Sequence, residues 1–268
     1  MPRVFFTVFC CLWATGSFAA LGTIATASNF KWAMSDLIET FEFSHPHRLR
    51  QVNASSGTLF NQITFGAPFD AMLSANSRYP QELEKRGLAI PGSRFTYAEG
   101  KLILAFSRTI QPVPCSNSEH NRLPEANQSC FTAVLANIRQ QHSRLAIANP
   151  DIAPYGIAAQ QVLQYLSLWE STKQHLVRGS NVGQTYQFVA TANVAAGFVA
   201  LSQFSFPEHQ VHHSLEYWTV PENWYQPIRQ QAILLQFGQQ NPAALSFLAF
   251  LKTDKAKAII RRHGYTTR

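Results

Sequence analysis

Apolar residues at Phe30, Ala33, Met34, Leu37, Ile38 and Phe41 recur at intervals of three and four, the face of one amphipathic helix starting just after Ser28. A short apolar run, Leu21 to Ala25, precedes it and reads as a buried strand. The same alternation continues down the chain. Strands are expected at 49–52, 69–73 and 102–106, and helices at 58–65 and 79–86, closed by Gly66 and Gly87. After a polar interval the alternation restarts, with strands at 145–148, 176–177 and 197–200 and helices at 156–166 and 182–190. A strand at 233–237, a helix opened by Asn241-Pro242 and a last helix from Thr253-Asp254 to Gly264 complete it. Strands alternating with helices predict an α/β fold with mostly parallel sheets, and two such series predict two lobes.

Four junctions stand out within this pattern: Ala27-Ser28-Asn29, Ala54-Ser55-Ser56-Gly57, Pro154-Tyr155-Gly156 and Gly179-Ser180-Asn181. At each, a strand runs into small or polar residues and then directly into a helix. Helix starts leave backbone N–H groups without intrahelical partners and present the positive end of the helix dipole. Several of them at the carboxyl edges of two sheets predict a cleft that holds an anion with neutral donors.

The composition narrows the class. Of 268 residues, 46% are hydrophobic and 14% charged, which suits a folded protein with a substantial core. The net charge of +7 is scattered over Arg48/Arg50, Lys85/Arg86 and a C-terminal group from Lys252 to Arg262. No nucleic-acid motif accompanies it, so the charge reads as solvated helix faces. Arg3, the apolar run Val4 to Trp13 and the small residues up to Ala19 read as a secretion leader over 1–19 cleaved after Ala19, placing the mature protein in the periplasm. Cys115 and Cys130 then flank a polar segment, and an oxidising compartment predicts a disulfide between them. The His209/His212/His213 group near Glu208 reads as a solvated loop, and no protein–metal site is expected.

Several stretches, taken in order, resemble the periplasmic molybdate-binding proteins, the solute receptors of ABC transporters. They are Thr23–Ser28, Asn53–Leu59, Gly66–Ala75, Ala148–Ala158, Asn181-Val182 and Ala196–Val199, followed by the Pro242 to Tyr265 ending. The resemblance implies the type II periplasmic-binding-protein fold, with 20–103 plus 232–268 as one lobe and 104–231 as the other. It implies ligand-binding residues at Ser28 and Ser56, through hydroxyls and backbone, and at Tyr155 and Val182, through backbone N–H groups. It further implies molybdate or tungstate as ligand, no cofactor, a monomer, and a membrane permease as partner.

Two positions depart from the family pattern. Tyr155 stands where a small alanine is usual, and Ala200 stands where the family has a ligand-facing tyrosine. Either the Tyr155 phenol supplies the hydroxyl lost at Ala200, or the pocket selects another anion. Competing functions are a receptor of the same fold for a sulfate-like or phosphonate-like anion, or for ferric iron held by tyrosines including Tyr155 and Tyr186. A serine hydrolase would need a His base beside Ser28 or Ser56, and no G-x-S-x-G elbow is present. Asp70 reads as a structural anchor, because a carboxylate repels a dianion. Ser180 and Asn181 divide between capping the helix and supporting the site.

Overall fold

The computed structural model describes residues 19–107, 128–140, 143–205 and 215–267. Residues 1–18 of the expected leader, Cys115 of the expected disulfide and the His209/His212/His213 group lie outside these.

The chain opens with β1 (Leu21–Ala27), α1 (Lys31–Ser44), β2 (Arg48–Ala54), α2 (Ser56–Thr64), β3 (Ala71–Ser74), α3 (Arg78–Lys85) and β4 (Phe95–Gly100). It continues through β5 (Leu102–Ser107), α4 (Gln128–Gln140), β6 (Leu145–Ala148), α5 (Pro154–Tyr165), α6 (Trp169–Thr172), β7 (Leu176–Gly179), α7 (Val182–Ala190), β8 (Ala196–Ala200) and β9 (Leu215–Thr219). β10 (Ile228–Leu234), α8 (Pro242–Phe250) and α9 (Asp254–Arg262) close it. Two five-stranded sheets result, in the orders β2-β1-β3-β10-β4 and β7-β6-β8-β5-β9.

The expected two-lobed α/β architecture is present, with one refinement: both sheets are mixed. In each, the strand in fourth place is antiparallel to both neighbours. That strand is the one that has just arrived from the other sheet. β4 ends the first sheet's opening stretch and β5 begins the second sheet after Lys101 alone; β9 leads back through 220–227 into β10. A strand entering from the junction must run away from it, whereas β4 and β9 run toward it. The expected boundaries at 103/104 and 231/232 therefore fall inside β5 and β10.

Packing follows the strand period. In β1, Ile24 joins Phe30, Leu37, Phe41 and Phe247 on one face, and its neighbour Ala25 joins Leu59, Phe60, Ile63 and Leu83 on the other. The second lobe has its own core, built on β5, β6, β8, α5 and Trp218. Gly66 and Gly87 end their helices with φ of 87° and 68°, the left-handed conformation a C-terminal glycine supplies. Arg261 and Arg262 lie in the last turn of α9, where the helix dipole favours cations.

β4, β9 and α4 were not among the expected elements, and β10 begins five residues before the strand expected at 233. The early part of β10 reads Ile-Arg-Gln-Gln, too polar to signal a buried strand, yet Gln230 is fully buried. Its side chain belongs to a polar network between the lobes.

Candidate functional site

The carboxyl ends of β1, β2 and β3 face those of β6, β7 and β8 across the space between the lobes. A small cavity lies there, of about 10 Å³, room on the order of a single water, beside a groove of about 380 Å³ between Ala75–Arg78 and Pro154–Gln161, and around the small cavity the two lobes are closed on each other. Ser28, Asn29, Ser55, Ser56 and Ala75 line it from the first lobe, and Ala153, Pro154, Tyr155 and Val182 from the second. All four residues expected at the site, Ser28, Ser56, Tyr155 and Val182, are thus brought to one place. Among the described residues, no charged side chain lines the cavity.

Two of the junctions are capped by a neighbouring side chain and two have no side-chain cap, so none of the four site residues is spent as an N-cap. At α2 the cap is Ser55, whose hydroxyl accepts from the Thr58 amide at 3.1 Å. Ser56, fully buried at the next position, accepts from the Ala75 amide at 2.9 Å through Oγ. Its hydroxyl proton stays available for a second acceptor. Ser28 opens a short 3₁₀ turn over Ser28–Phe30 whose N-cap is Ala27, so its hydroxyl caps nothing and finds no partner among the described residues. At α7 Asn181 is the cap, accepting from the Gln184 amide at 3.0 Å. The Val182 amide, one residue into the helix, has no described acceptor. At α5 Ala153 is the N-cap and Pro154 follows it, which leaves the Tyr155 amide as the first N–H of the helix, likewise without an acceptor. Neutral hydroxyls and helix-start amides around a cavity with no charged side chain among the described residues suit an anion better than a cation.

Contacts between the lobes are close. The Gly57 amide donates to the Ile152 carbonyl at 2.8 Å. A Cβ placed on Gly183 would stand 3.6 Å from the Ser28 Cβ, so the first turn of α7 rests against Ser28. Ser202 Oγ donates to the Asn29 carbonyl at 3.0 Å; within the second lobe, the Gln203 side chain ties the Ala200 amide (3.0 Å) to the Val182 carbonyl (3.2 Å). Ala200 itself is buried in β8 and does not line the cavity.

Behind the cavity lies a network that sequence reasoning missed: Asn29, Tyr97, Tyr155, Ser202, Gln230 and Tyr265, all buried and none formally charged. Burial holds the Tyr155 hydroxyl well above the ordinary phenol range, with the neighbouring Tyr265, Tyr225 and Tyr97 adding to it. A tyrosinate is therefore disfavoured there. Tyr186 packs edge-on against Phe204 and is pushed up to about 12 by burial; it does not line the cavity. The signal in the sequence for this network was the pair Gln230-Gln231 beside the apolar end of its strand.

Asp70 sits away from the cavity. Its carboxylate accepts from the Thr23 amide at 2.6 Å and the Asn241 side chain at 3.0 Å, joining β1, β3 and the start of α8. None of the histidines among the described residues lines the cavity, so Ser28 and Ser56 have no base beside them there. Among the described residues, no helix is long and apolar enough to cross a membrane, and no group of three or more His, Cys, Asp or Glu is placed to hold a metal ion.

The model of the bacterial extracellular solute-binding protein family matches residues 23–266. The molybdate-binding protein ModA of Azotobacter vinelandii is 40% identical over 254 residues, 95% of this chain and 93% of that protein. The molybdate-binding protein ModA of Rhodobacter capsulatus is 37% identical, covering 93% of this chain and 90% of its own length. Among solved structures, the Azotobacter vinelandii periplasmic molybdate-binding protein superposes with a TM-score of 0.78 at 34% identity, over 92% of this chain and 99% of that one. The sulfate-binding protein SubI of Mycobacterium tuberculosis shares the fold, with a TM-score of 0.70 at 10% identity over 92% of this chain and 87% of its own.

Proposed function

The chain belongs to the bacterial extracellular solute-binding protein family, and from that premise we propose that it captures molybdate or tungstate outside the cytoplasm and delivers it to a membrane permease. The observation that carries this reading is the convergence of Ser28, Ser56, Tyr155 and Val182 on one uncharged cavity between the lobes. A tetrahedral dianion offers four acceptor oxygens and no donors, which suits two hydroxyls and helix-start amides. Two relatives of this chain, at 40% and 37% identity, are both molybdate-binding proteins.

The mechanism is closure. Ser28 and Ser56 belong to one lobe and Tyr155 and Val182 to the other, so an anion bonded to all four exists only in the closed form. Ligand then shifts the population toward that form. The lobes turn about Lys101 and the 220–227 connection, with 20–100 plus 228–267 forming one body. Binding and release need no bond-making, so the protein is a carrier and not an enzyme. Ferric iron is disfavoured because Tyr155, the only phenol lining the cavity among the described residues, is held protonated by its burial. The leader over 1–19 and the Cys115–Cys130 disulfide complete the reading of an exported chain; alkylation without reduction should leave both mature cysteines unmodified.

The test is a thermal-shift and calorimetric screen of the mature protein against molybdate, tungstate, sulfate, phosphate and ferric iron. A ligand that binds only the folded state raises its melting temperature. Molybdate and tungstate should raise it most and bind with one-to-one stoichiometry. Stabilisation by ferric iron alone, or by none of the anions, overturns the proposal.

A further inference from the structure

The carbonyl oxygen of Asn29 fixes the direction of a chain of hydrogen bonds that runs to the cavity. A carbonyl only accepts, and Tyr265 Oη donates to it at 2.8 Å. With its proton committed, Tyr265 Oη must accept from the Asn29 side chain, whose Nδ2 lies 2.9 Å away. The same Nδ2 donates to Gln230 Oε1 at 3.0 Å, and Tyr97 Oη donates to that oxygen too, at 3.0 Å. Two donors on one end of the amide settle its orientation: Gln230 Nε2 faces Tyr155 Oη, at 3.4 Å. An amide nitrogen cannot accept, so Tyr155 receives this bond and keeps its own proton free. No described residue accepts that proton, and Tyr155 lines the cavity.

Gly100, the last residue of β4, makes the arrangement possible. A Cβ there would stand 2.1 Å from Tyr155 Oη and 2.6 Å from Gln230 Nε2. Any other residue would have to displace the phenol or the amide.

We propose that Gln230 and Gly100 are positioning residues for the bound anion. They act through Tyr155, holding its hydroxyl in place and turned as a donor toward the cavity. The inference rests on the reading of that cavity as the anion site, and it accounts for the pairing of Tyr155 with Ala200. The hydroxyl enters from α5 and is aimed from the strands that join the lobes, so the anion and the junction share one hydrogen-bond chain. Burial supports the donor role by keeping the phenol protonated.

The experiment is a pair of double-mutant cycles read by molybdate calorimetry on the mature protein. Gln230→Met and Gly100→Ala should each weaken binding by about tenfold, the order expected for a lost hydrogen bond to a charged group. In a Tyr155→Phe background neither should cost further affinity, since the atom they position is gone; Tyr155→Phe should also relieve the Gly100→Ala clash with Oη. Losses that persist unchanged in that background, or the absence of any loss, would overturn the inference, because a merely structural role does not depend on one oxygen. If Gln230→Met fails to fold, Gln230→Asn, which keeps the amide but shortens its reach, runs through the same cycle. Ser56→Ala serves as the control: if it too leaves molybdate binding intact, the anion-site reading fails; if it weakens binding while the cycles stay additive, only this inference fails.

Discussion

Gly57 donates its backbone amide to the Ile152 carbonyl at 2.8 Å, a direct backbone tie between the two lobes beside the cavity. The site of that bond admits no side chain. A Cβ on Gly57 would lie 2.7 Å from the Ile152 oxygen, 2.8 Å from its Cα and 2.6 Å from Tyr79 Oη. Gly57→Ala should therefore hinder closure and leave the separated lobes little changed. Anion affinity is expected to fall at least about tenfold, as the closed population is taxed, and small-angle scattering should show less compaction at saturating molybdate. Wild-type affinity in this variant would refute the tie as a closure contact.

The two serines should behave differently. Ser56 Oγ also accepts from the Ala75 amide, so Ser56→Ala strands a buried donor and should cost about 1–3 kcal/mol of stability besides weakening binding. Ser28 makes no such bond, so Ser28→Ala should weaken binding by a similar factor, roughly tenfold, with stability nearly unchanged. Urea unfolding without ligand and calorimetry with molybdate separate the two effects. Equal stability losses in both variants would contradict the assignment.

Asp70 should prove structural. Asp70→Asn turns one acceptor into an amide group and sets it against either the Thr23 amide or the Asn241 side chain. Stability should drop by about 1–3 kcal/mol, while molybdate affinity of the folded protein stays within a factor of two or so. A large affinity change with unaltered stability would place Asp70 in the site.

His263 predicts a pH dependence of stability. The ring is buried and its Nε2 lies 3.0 Å from Asp36 Oδ2. Burial lowers its pKa below the ordinary 6.5, and the hydrogen bond to Asp36 offsets this only in part. The folded protein thus favours neutral imidazole, and the unfolded chain binds more protons just below pH 6.5. This contribution is complete above that value and is lost as pH falls toward the lowered one. Denaturant titrations from pH 7.5 to 5 should show the decline, and His263→Gln should flatten it. An identical decline in the variant would assign it to other groups.

Much of this molecule was legible in the chain because its signals are local. The face from Phe30 to Phe41, the caps at Asn181, Asn241 and Thr253, and the glycines at 66 and 87 depend on neighbours within about four residues. The junctions at 27–29, 54–57, 154–156 and 179–181 were legible for the same reason, since helix starts announce themselves; Ser28, Ser56, Tyr155 and Val182 were singled out at or beside them by the family resemblance. That Ser55 caps the helix through the Thr58 amide while Ser56 takes the Ala75 amide, nineteen residues on, was settled only by the fold. β4 and β9 went unread because half-polar strands at a sheet edge draw their stability from partners distant in sequence. The reversed strand in each sheet, and the start of β10, depend on where the chain crosses between lobes. The network of Asn29, Tyr97, Tyr155, Gln230 and Tyr265 spans 236 positions at its widest bond. Polar residues at such distances carry no periodic mark. Only when folding buried them together, with water excluded, did each donor have to find its acceptor, and that requirement gave the network its direction.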